Sequence, residues 1–237
     1  MTCEGAELAR TRRMGRIARR LLVDQGSTNH CTWRAHDNTR IFADDETAEF
    51  FLGLLAEHKE AHGILIRSYC LMGTHPHVVV TATQGQAAFS RFWQIVNQAL
   101  AGYYNDKHNR CGQVVRERLK SPAIEPGGRH MLTVMRYGDL NPVRAKLVES
   151  AKEWKYSSYM HYAYGKQDPL IDDAPDYLAL GDGPAVRRNA YRNLFGAQPL
   201  DPMLERRKDM VASPFIGTPQ WIVDRMRALG GLPTPSG

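Results

Sequence analysis

Two apolar runs joined by a very short turn constrain the fold of this chain more than any other feature. The runs are Ile64–Leu71 and His75–Ala82, and Gly73 and Thr74 stand between them. Short apolar runs bounded by turn residues are typical of buried strands. A connection this short permits only antiparallel pairing, because a parallel crossover needs a dozen or more residues. The sequence therefore predicts an antiparallel hairpin.

Helical patterns flank this hairpin on both sides. The segment 44–63 has acidic residues in its first turn, Phe and Leu residues at helical spacing, and Gly63 at its end. These are start and stop signals of a helix. Residues 89–104 return to a helical period, and Asn29–His36 forms a short alternating run that predicts a first strand. We therefore predict an α+β fold with helices packed on an antiparallel sheet.

Three further elements are predicted in the second half of the chain. Val114–Leu119 is a candidate short strand, and Leu132–Leu140 is a candidate helix. Asn141 and Pro142 follow, and they fit the N-cap and the first position of another helical piece.

The composition divides the chain into three parts, which we place at residues 1–22, 23–165 and 166–237. The first contains six arginines between Arg10 and Arg20 without an acid, and it predicts either an arm that grips phosphates or a solvated tail. The last opens with an Asp-, Gly- and Pro-rich stretch that predicts a linker. Helical patches follow it at Ala190–Phe195, Pro202–Val211 and Pro219–Leu229.

The charge balance favours a polyanionic partner. Lys and Arg number 31 against 25 Asp and Glu, a net charge of +6, which suggests nucleic acid before membrane. The four cysteines are scattered without a CxxC pair, which predicts unpaired thiols in a reducing compartment. No apolar run reaches the length of a membrane span, and the Arg-rich start lacks the apolar core of a secretory signal. We therefore expect a cytoplasmic protein without a membrane partner.

Two histidines and a tyrosine are the residues that could carry chemistry. His75 and His77 are two apart in a predicted strand, so both imidazoles point to one face and can converge on a metal ion or a phosphate. Tyr137 and Asn141 are four apart on a predicted helix, which places a phenol and an amide on one face. The alternatives are ordinary ones: satisfied histidines, a half-buried aromatic residue and a capping asparagine.

Four stretches of the sequence together resemble one family. The stretch 68–80 (SYCLMGTHPHVVV) resembles the histidine–hydrophobic–histidine strand of the IS200-like single-tyrosine (HUH) transposases, with the REP-associated tyrosine transposases as the nearest group. The stretch 136–148 (RYGDLNPVRAKLV) resembles their Tyr-x-x-x-Asn-Pro-Val-Arg-Ala helix. The stretches 103–121 and 154–162 are similar to two further family segments, in the same order.

The resemblance implies both a fold and a reaction. Such enzymes have a ferredoxin-like antiparallel sheet flanked by helices, and they cut and rejoin single-stranded DNA, often beside a hairpin. By this resemblance, His75 and His77 bind a divalent metal, Mg or Mn, and Tyr137 is the nucleophile that forms a 5′-phosphotyrosine link. Asn141 is the candidate third metal contact. The family includes dimers and monomers, so a homodimer stays open.

A set of basic residues is then expected to hold the DNA. Single strands are commonly held by basic side chains on the backbone and by bases stacked on aromatic rings such as Trp93, Tyr103 and Tyr104. The alternative is that the aromatic residues are core and the charges a solvated face. The expected DNA-binding residues are Arg91, Lys107, Arg110, Arg116, Arg118, Lys120 and Arg144.

Three positions depart from the family pattern. Pro76 stands between the histidines where a bulky hydrophobic residue is usual, Thr74 replaces a common Asn, and Gly138 follows the tyrosine. Proline is unwelcome in a central strand, and glycine inside a helix costs roughly 1 kcal/mol relative to Ala. These changes leave two alternatives to an active enzyme: a decayed DNA-binding protein that regulates repeats or transcription, and an RNA-binding module.

Overall fold

The computed structural model describes residues 21–196 and 213–229, together with Ala18 and Met210. The predicted arginine arm therefore lies outside the described residues except for Ala18. The same holds for the predicted helix Pro202–Val211 except for Met210.

A five-stranded sheet forms the centre of the fold, with the spatial order β2-β3-β1-β4-β5. The β2–β3, β3–β1 and β1–β4 pairs are antiparallel, whereas β4 and β5 are parallel. The strands are β1 (Ser27–Thr32), β2 (Ile64–Met72), β3 (His75–Ala82), β4 (Ala123–Ile124) and β5 (Phe215–Ile216).

Eight α-helices accompany this sheet in the part of the chain that is described. They are α1 (Asp45–Lys59), α2 (Gly85–Lys107), α3 (His130–Asp139), α4 (Asn141–Arg144), α5 (Tyr159–Tyr164), α6 (Pro175–Leu178), α7 (Pro184–Gly196) and α8 (Pro219–Ala228). None of the described helices is both long enough and apolar enough to cross a membrane.

The first part of the chain has the predicted ferredoxin-like arrangement. Its elements follow the order β1-α1-β2-β3-α2-β4, and their strands are arranged β2-β3-β1-β4, which is the split β-α-β pattern. The hairpin and helices α1, α2 and α3 are confirmed. Asp44 caps α1 by accepting a hydrogen bond from the Thr47 N–H at 2.9 Å, and Gly63 ends the following turn with φ of 58°.

Alternation along β3 separates two cores. Val78 and Val80 lie in the core that includes residues of α1 and α2, whereas Val79 lies in the core that includes residues of α3. His75 and His77 share the parity of Val79, so they lie on the α3 side of the sheet.

The C-terminal extension is not the purely helical appendage that the sequence predicts. Its Phe215–Ile216 pair forms β5, and both side chains are buried. A two-residue strand is too short to show an alternating pattern, so sequence reasoning missed it.

The predicted linker also differs from the expectation, because it packs along the edge of β2. The Asp172 N–H donates to the Ile66 carbonyl at 2.8 Å, and the Asp172 carboxylate accepts from the Ile66 N–H at 2.9 Å. The same carboxylate binds the Lys59 ammonium at 2.9 Å. This segment therefore covers a sheet edge, a place where an open strand invites aggregation.

The predicted strand Val114–Leu119 is wrong as a regular element. Val115 forms an isolated bridge to Ala35, and Lys120, just past the predicted strand, forms another to Thr32 at the end of β1. A continuous ladder does not form, because residues 33–34 on one side lie opposite residues 116–119 on the other, and the register between the two bridges shifts by two residues.

The predicted capping role of Asn141 is also wrong. Leu140 is the N-cap of α4, Asn141 is its first residue, and the helix is a single turn. Lys146 has a φ of 56°, so the backbone leaves the helical region before the predicted helix is complete.

Candidate active site

A cavity of about 640 Å³ opens where the β2–β3 hairpin and the end of β1 meet the C-terminal end of α3. Its walls combine basic, imidazole, phenol and amide groups. The lining residues are Thr32, Trp33, Arg34, Asn38, Met72, His75, His77, Arg116, Glu117, Lys120, Tyr137, Asn141, Arg144 and Ala145.

The two histidines of β3 stand together on this wall. The ring centroids of His75 and His77 are 5.0 Å apart, and the rings are steeply inclined to each other. His75 Nδ1 lies 2.8 Å from the Thr74 hydroxyl, so a hydrogen bond between the two side chains holds the ring. His77 is buried, and burial together with neighbouring positive groups holds its pKa well below the ordinary value.

Pro76 lies between these histidines, next to the point at which the regular β1–β3 ladder ends. The regular β1–β3 pairing ends at Thr32 opposite His77, the residue that follows the proline. On the other side Pro76 faces Leu71, whose N–H is directed to the Tyr156 carbonyl and therefore away from β3. The missing N–H of the proline therefore costs no bond to β2. On the β1 side the regular ladder stops beside the proline, and one further bond, from the Ala35 N–H to the Thr74 carbonyl at 2.9 Å, forms beyond it.

Gly138 lies where α3 packs on the sheet. A β-carbon built at this position would lie 4.0 Å from the β-carbons of Cys70 and His77, which is ordinary van der Waals contact. Helix α3 runs without interruption through Gly138 to Asp139. The end of α3 that carries Tyr137 is therefore packed against the strand that carries the histidines.

We expect Gly138→Ala to stabilise the protein by about 0.5–1 kcal/mol, because alanine has the higher helix propensity and its methyl group fits the space. Gly138→Leu is the matched control, since its longer side chain has to displace the sheet or the helix at a cost of about 1–3 kcal/mol. Urea unfolding measures both. A destabilised alanine variant would contradict the packing described here.

Tyr137 is brought against the histidines by the last turn of α3. Its ring centroid lies 5.8 Å from that of His77 and 6.3 Å from that of His30, in both cases edge to face. The residue is 8% exposed, and the Arg144 guanidinium carbon lies 4.4 Å above its ring centroid. A cation over an aromatic face is attracted by the ring's quadrupole, so Arg144 and Tyr137 hold each other in place.

Asn141 and Arg144 are joined on one side of the cavity. The Arg144 guanidinium donates to Asn141 Oδ1, while Asn141 Nδ2 is buried without a hydrogen-bond partner among the described residues. A buried amide nitrogen without a partner is uncommon in folded proteins, and it marks this corner of the cavity as able to receive a polar ligand.

The cavity wall carries donor groups of the kinds that bind a divalent ion. Across residues 21–196 and 213–229, no three His, Cys, Asp or Glu side chains are arranged to enclose a metal. The candidate ligands are therefore His75, His77 and the amide oxygen of Asn141. Such an open set differs from the closed four-ligand set of a structural zinc and leaves positions for phosphate oxygens.

A third histidine, which sequence reasoning missed, lies behind His77. His30 in β1 is fully buried, and its ring stacks on that of His77 with centroids 5.1 Å apart. Its Nε2 lies 2.9 Å from His77 Nδ1, and its Nδ1 lies 2.8 Å from the Met210 carbonyl oxygen. Burial lowers the pKa of His30 to about 4.

A buried acid stands at the end of the same helix. The Asp139 carboxyl accepts a hydrogen bond at 2.7 Å from the Tyr191 hydroxyl of α7. Burial raises the pKa of Asp139 to about 8, because desolvation disfavours the charged form.

The predicted DNA-binding residues separate into two groups in the structure. Arg116, Lys120 and Arg144 line the cavity, and Arg118 is exposed on the same segment as the first two. Lys120 is also 3.1 Å from the Glu117 carboxylate. Two lining residues that sequence reasoning missed, Arg34 and Asn38, extend this polar wall.

Arg91, Lys107 and Arg110 lie away from the cavity. Arg91 is exposed on α2, which packs on the face of the sheet opposite to His77. Lys107 binds the carboxylates of Asp44 and Glu46 at 2.7 and 2.6 Å. Arg110 lies over the Tyr104 ring.

The aromatic residues of α2 mostly belong to the core. Trp93 and Tyr104 are buried, and Tyr103 stacks on Phe50 with ring centroids 4.0 Å apart. The expected base stacking on these rings is therefore replaced by core packing, which was the alternative interpretation.

Comparisons with known proteins give matches among the solved structures. No family model matches this chain, and no curated protein does. A solved structure of a REP-associated tyrosine transposase bound to a REP hairpin matches it with a TM-score of 0.53. The chain shares the fold of this transposase. The match covers 68% of this chain and 93% of the transposase chain at 17% identity, so the likeness to the transposase is one of fold.

Proposed function

We propose that this protein is a metal-dependent single-strand DNA endonuclease and strand transferase that acts on hairpin or repeat DNA. The observation that carries the proposal is the convergence of Tyr137, His75, His77 and Asn141 in one cavity. They come from three elements, β3, α3 and α4, and they are the residues to which the family resemblance assigns working groups. The shared fold with a transposase that was solved on hairpin DNA supports it.

The chemistry assigned to Tyr137 is nucleophilic attack on a DNA phosphate. Its oxygen forms a bond to phosphorus, the bond from phosphorus to the 3′ oxygen of the preceding nucleotide breaks, and the phenolic proton balances the one taken up by that 3′ oxygen. The products are a 5′-phosphotyrosine and a 3′-hydroxyl. The exchange conserves one phosphoester bond, so rejoining needs no ATP.

The residues around Tyr137 orient it and balance charge. Packing of α3 on β3 fixes the direction of the ring, and the Arg144 guanidinium places a positive charge where the phosphate and the developing phenolate carry negative charge. A divalent ion, Mg or Mn, held by His75, His77 and Asn141 would supply Lewis-acid polarisation of the scissile phosphate.

A direct test is the formation of a covalent protein–DNA adduct. The full chain is incubated with labelled single-stranded hairpin oligonucleotides from its own locus, with Mn or Mg, and analysed on a denaturing gel. We expect a labelled band at the mass of protein plus DNA that depends on the metal. Binding of the oligonucleotides without an adduct under any of these conditions would overturn the proposed activity.

We expect Arg116→Ala to weaken hairpin DNA binding and to lower its salt dependence. Each lost phosphate contact removes about 0.7 from the slope of log affinity against log salt for a single strand. Arg91→Ala is the matched control, because that residue lies on the opposite face of the sheet. Titrations at several salt concentrations measure both. Equal slopes in the two variants would contradict a DNA path along the cavity.

A catalytically decayed DNA-binding protein is the second candidate, and one observation favours it. The Asn141 oxygen is engaged by Arg144, so the arginine has to move or share that oxygen before the amide can bind a metal. Competition between matched RNA and DNA hairpins separates both candidates from an RNA-binding module, because only RNA carries the 2′-hydroxyl.

A further inference from the structure

His30 makes two hydrogen bonds whose directions are linked. Its Nδ1 lies 2.8 Å from the carbonyl oxygen of Met210, and a carbonyl oxygen can only accept. The proton of a neutral His30 ring is therefore on Nδ1. Its Nε2 then carries a lone pair, and it lies 2.9 Å from His77 Nδ1.

The second hydrogen bond follows from the first. Because His30 Nε2 accepts, His77 Nδ1 must donate and so carries the proton of that ring. The ring of His30 is fully buried and bonds a carbonyl oxygen and an imidazole, neither of which carries a negative charge, so the neutral ring is favoured. The remaining nitrogen of His77, Nε2, keeps its lone pair on a residue that lines the cavity.

We infer that His30 is a positioning residue, which holds His77 in the Nδ1–H tautomer and thereby presents its Nε2 lone pair to a divalent ion. The inference rests on the proposed function for its metal, whereas the tautomer itself is a property of the metal-free protein. Ligating histidines in proteins are commonly fixed in this way through their second nitrogen.

The contact between Thr74 and His75 differs from the contact between His30 and His77. Its Nδ1 faces the Thr74 hydroxyl, which can either donate or accept. The hydroxyl therefore does not select a tautomer of His75. His30 selects one for His77, because it is itself fixed by a group that only accepts.

The first experiment needs no variant of His30. Long-range ¹⁵N–¹H spectra of the metal-free full chain at pH 7.5 distinguish the two nitrogens of a neutral imidazole, and a His77→Gln spectrum assigns the signals of His77. We expect a protonated Nδ1 and an unprotonated Nε2. A proton on Nε2, or a fast-exchanging mixture of both forms, would overturn the inference.

Two variants of His30 separate a positioning role from a merely structural one. Glutamine ends near the position of Nε2 and can accept from His77, whereas asparagine ends near Nδ1 and can bond only Met210. We expect Mn²⁺ binding, measured by electron paramagnetic resonance, to stay within about threefold in His30→Gln and to weaken by about 10–100-fold in His30→Asn. Thermal unfolding of both variants controls for folding.

The outcomes separate this inference from the proposed function. Equal Mn²⁺ affinity in the two variants would overturn the positioning role even if the protein cuts DNA. If the wild-type protein shows the expected tautomer but does not bind Mn²⁺, the result would support the hydrogen-bond chain from Met210 through His30 to His77. The same result would count against the metal-dependent activity.

Discussion

Replacement of Tyr137 by phenylalanine is expected to abolish the covalent protein–DNA adduct and to leave hairpin binding almost unchanged. Phenylalanine lacks the oxygen that would bond to phosphorus, and loss of a nucleophile typically lowers turnover by 10³-fold or more. The ring still packs against His77 and beneath Arg144 in the variant, so the cavity keeps its shape.

Denaturing gels measure the adduct, and equilibrium titration with the same oligonucleotide measures binding. Tyr103→Phe is the matched control, because that tyrosine lies on α2 and stacks on Phe50, away from the cavity. Persistence of the adduct in Tyr137→Phe would show that another residue attacks the phosphate. Loss of DNA binding in the same variant would mean that the phenol has a binding role instead.

The second large effect concerns pH and the buried carboxyl of Asp139. Its pKa is about 8 in the folded protein and near 4 in an unfolded chain. Below pH 4 both states are protonated, so the group adds no penalty. As the pH rises from 4 to 8 the unfolded chain releases the proton while the folded protein retains it, and stability falls, by at most about 5 kcal/mol.

Asp139→Asn is expected to remove this loss, because asparagine is neutral at every pH and its Oδ1 can still accept from the Tyr191 hydroxyl. The variant should therefore be nearly as stable as the wild type at pH 4.5 and several kcal/mol more stable at pH 8. Urea unfolding at pH 4.5, 6.5 and 8 measures the difference between the two proteins. An equal stability difference at all three pH values would contradict a protonated buried Asp139. The exposed Asp106→Asn is the control.

The elements that the sequence predicted are those whose signals are local. Helix α1 has its cap, its apolar spacing and its terminal glycine within 20 residues, and the β2–β3 hairpin has two apolar runs beside one turn. The bonds of Asp172 to the edge of β2 could not be predicted, because its partner Ile66 is 106 residues away. Strand β5 could not be predicted for the same reason, because it pairs with β4, which is distant from it along the chain.

The candidate site could likewise be predicted from the sequence only in part. The motif positions Tyr137, His75, His77 and Asn141 were available from the resemblance, and the structure gathers them in one cavity. His30 was missed because its contact with His77 depends on the β1–β3 register, which joins residues 47 apart. Basic residues could be picked from the sequence, but not the face of the sheet on which each lies, so Arg91 and Lys107 were grouped with Arg116.

The Met210 carbonyl has a consequence for the order of events during synthesis. Domains generally begin to fold from the N-terminus while the ribosome is still adding residues. The histidines and Tyr137 are made early, whereas the acceptor that orients the His30 ring is made after all of them. A growing chain that has not yet reached Met210 can therefore bring His77 and Tyr137 together, but it still lacks the acceptor that fixes the proton of His30.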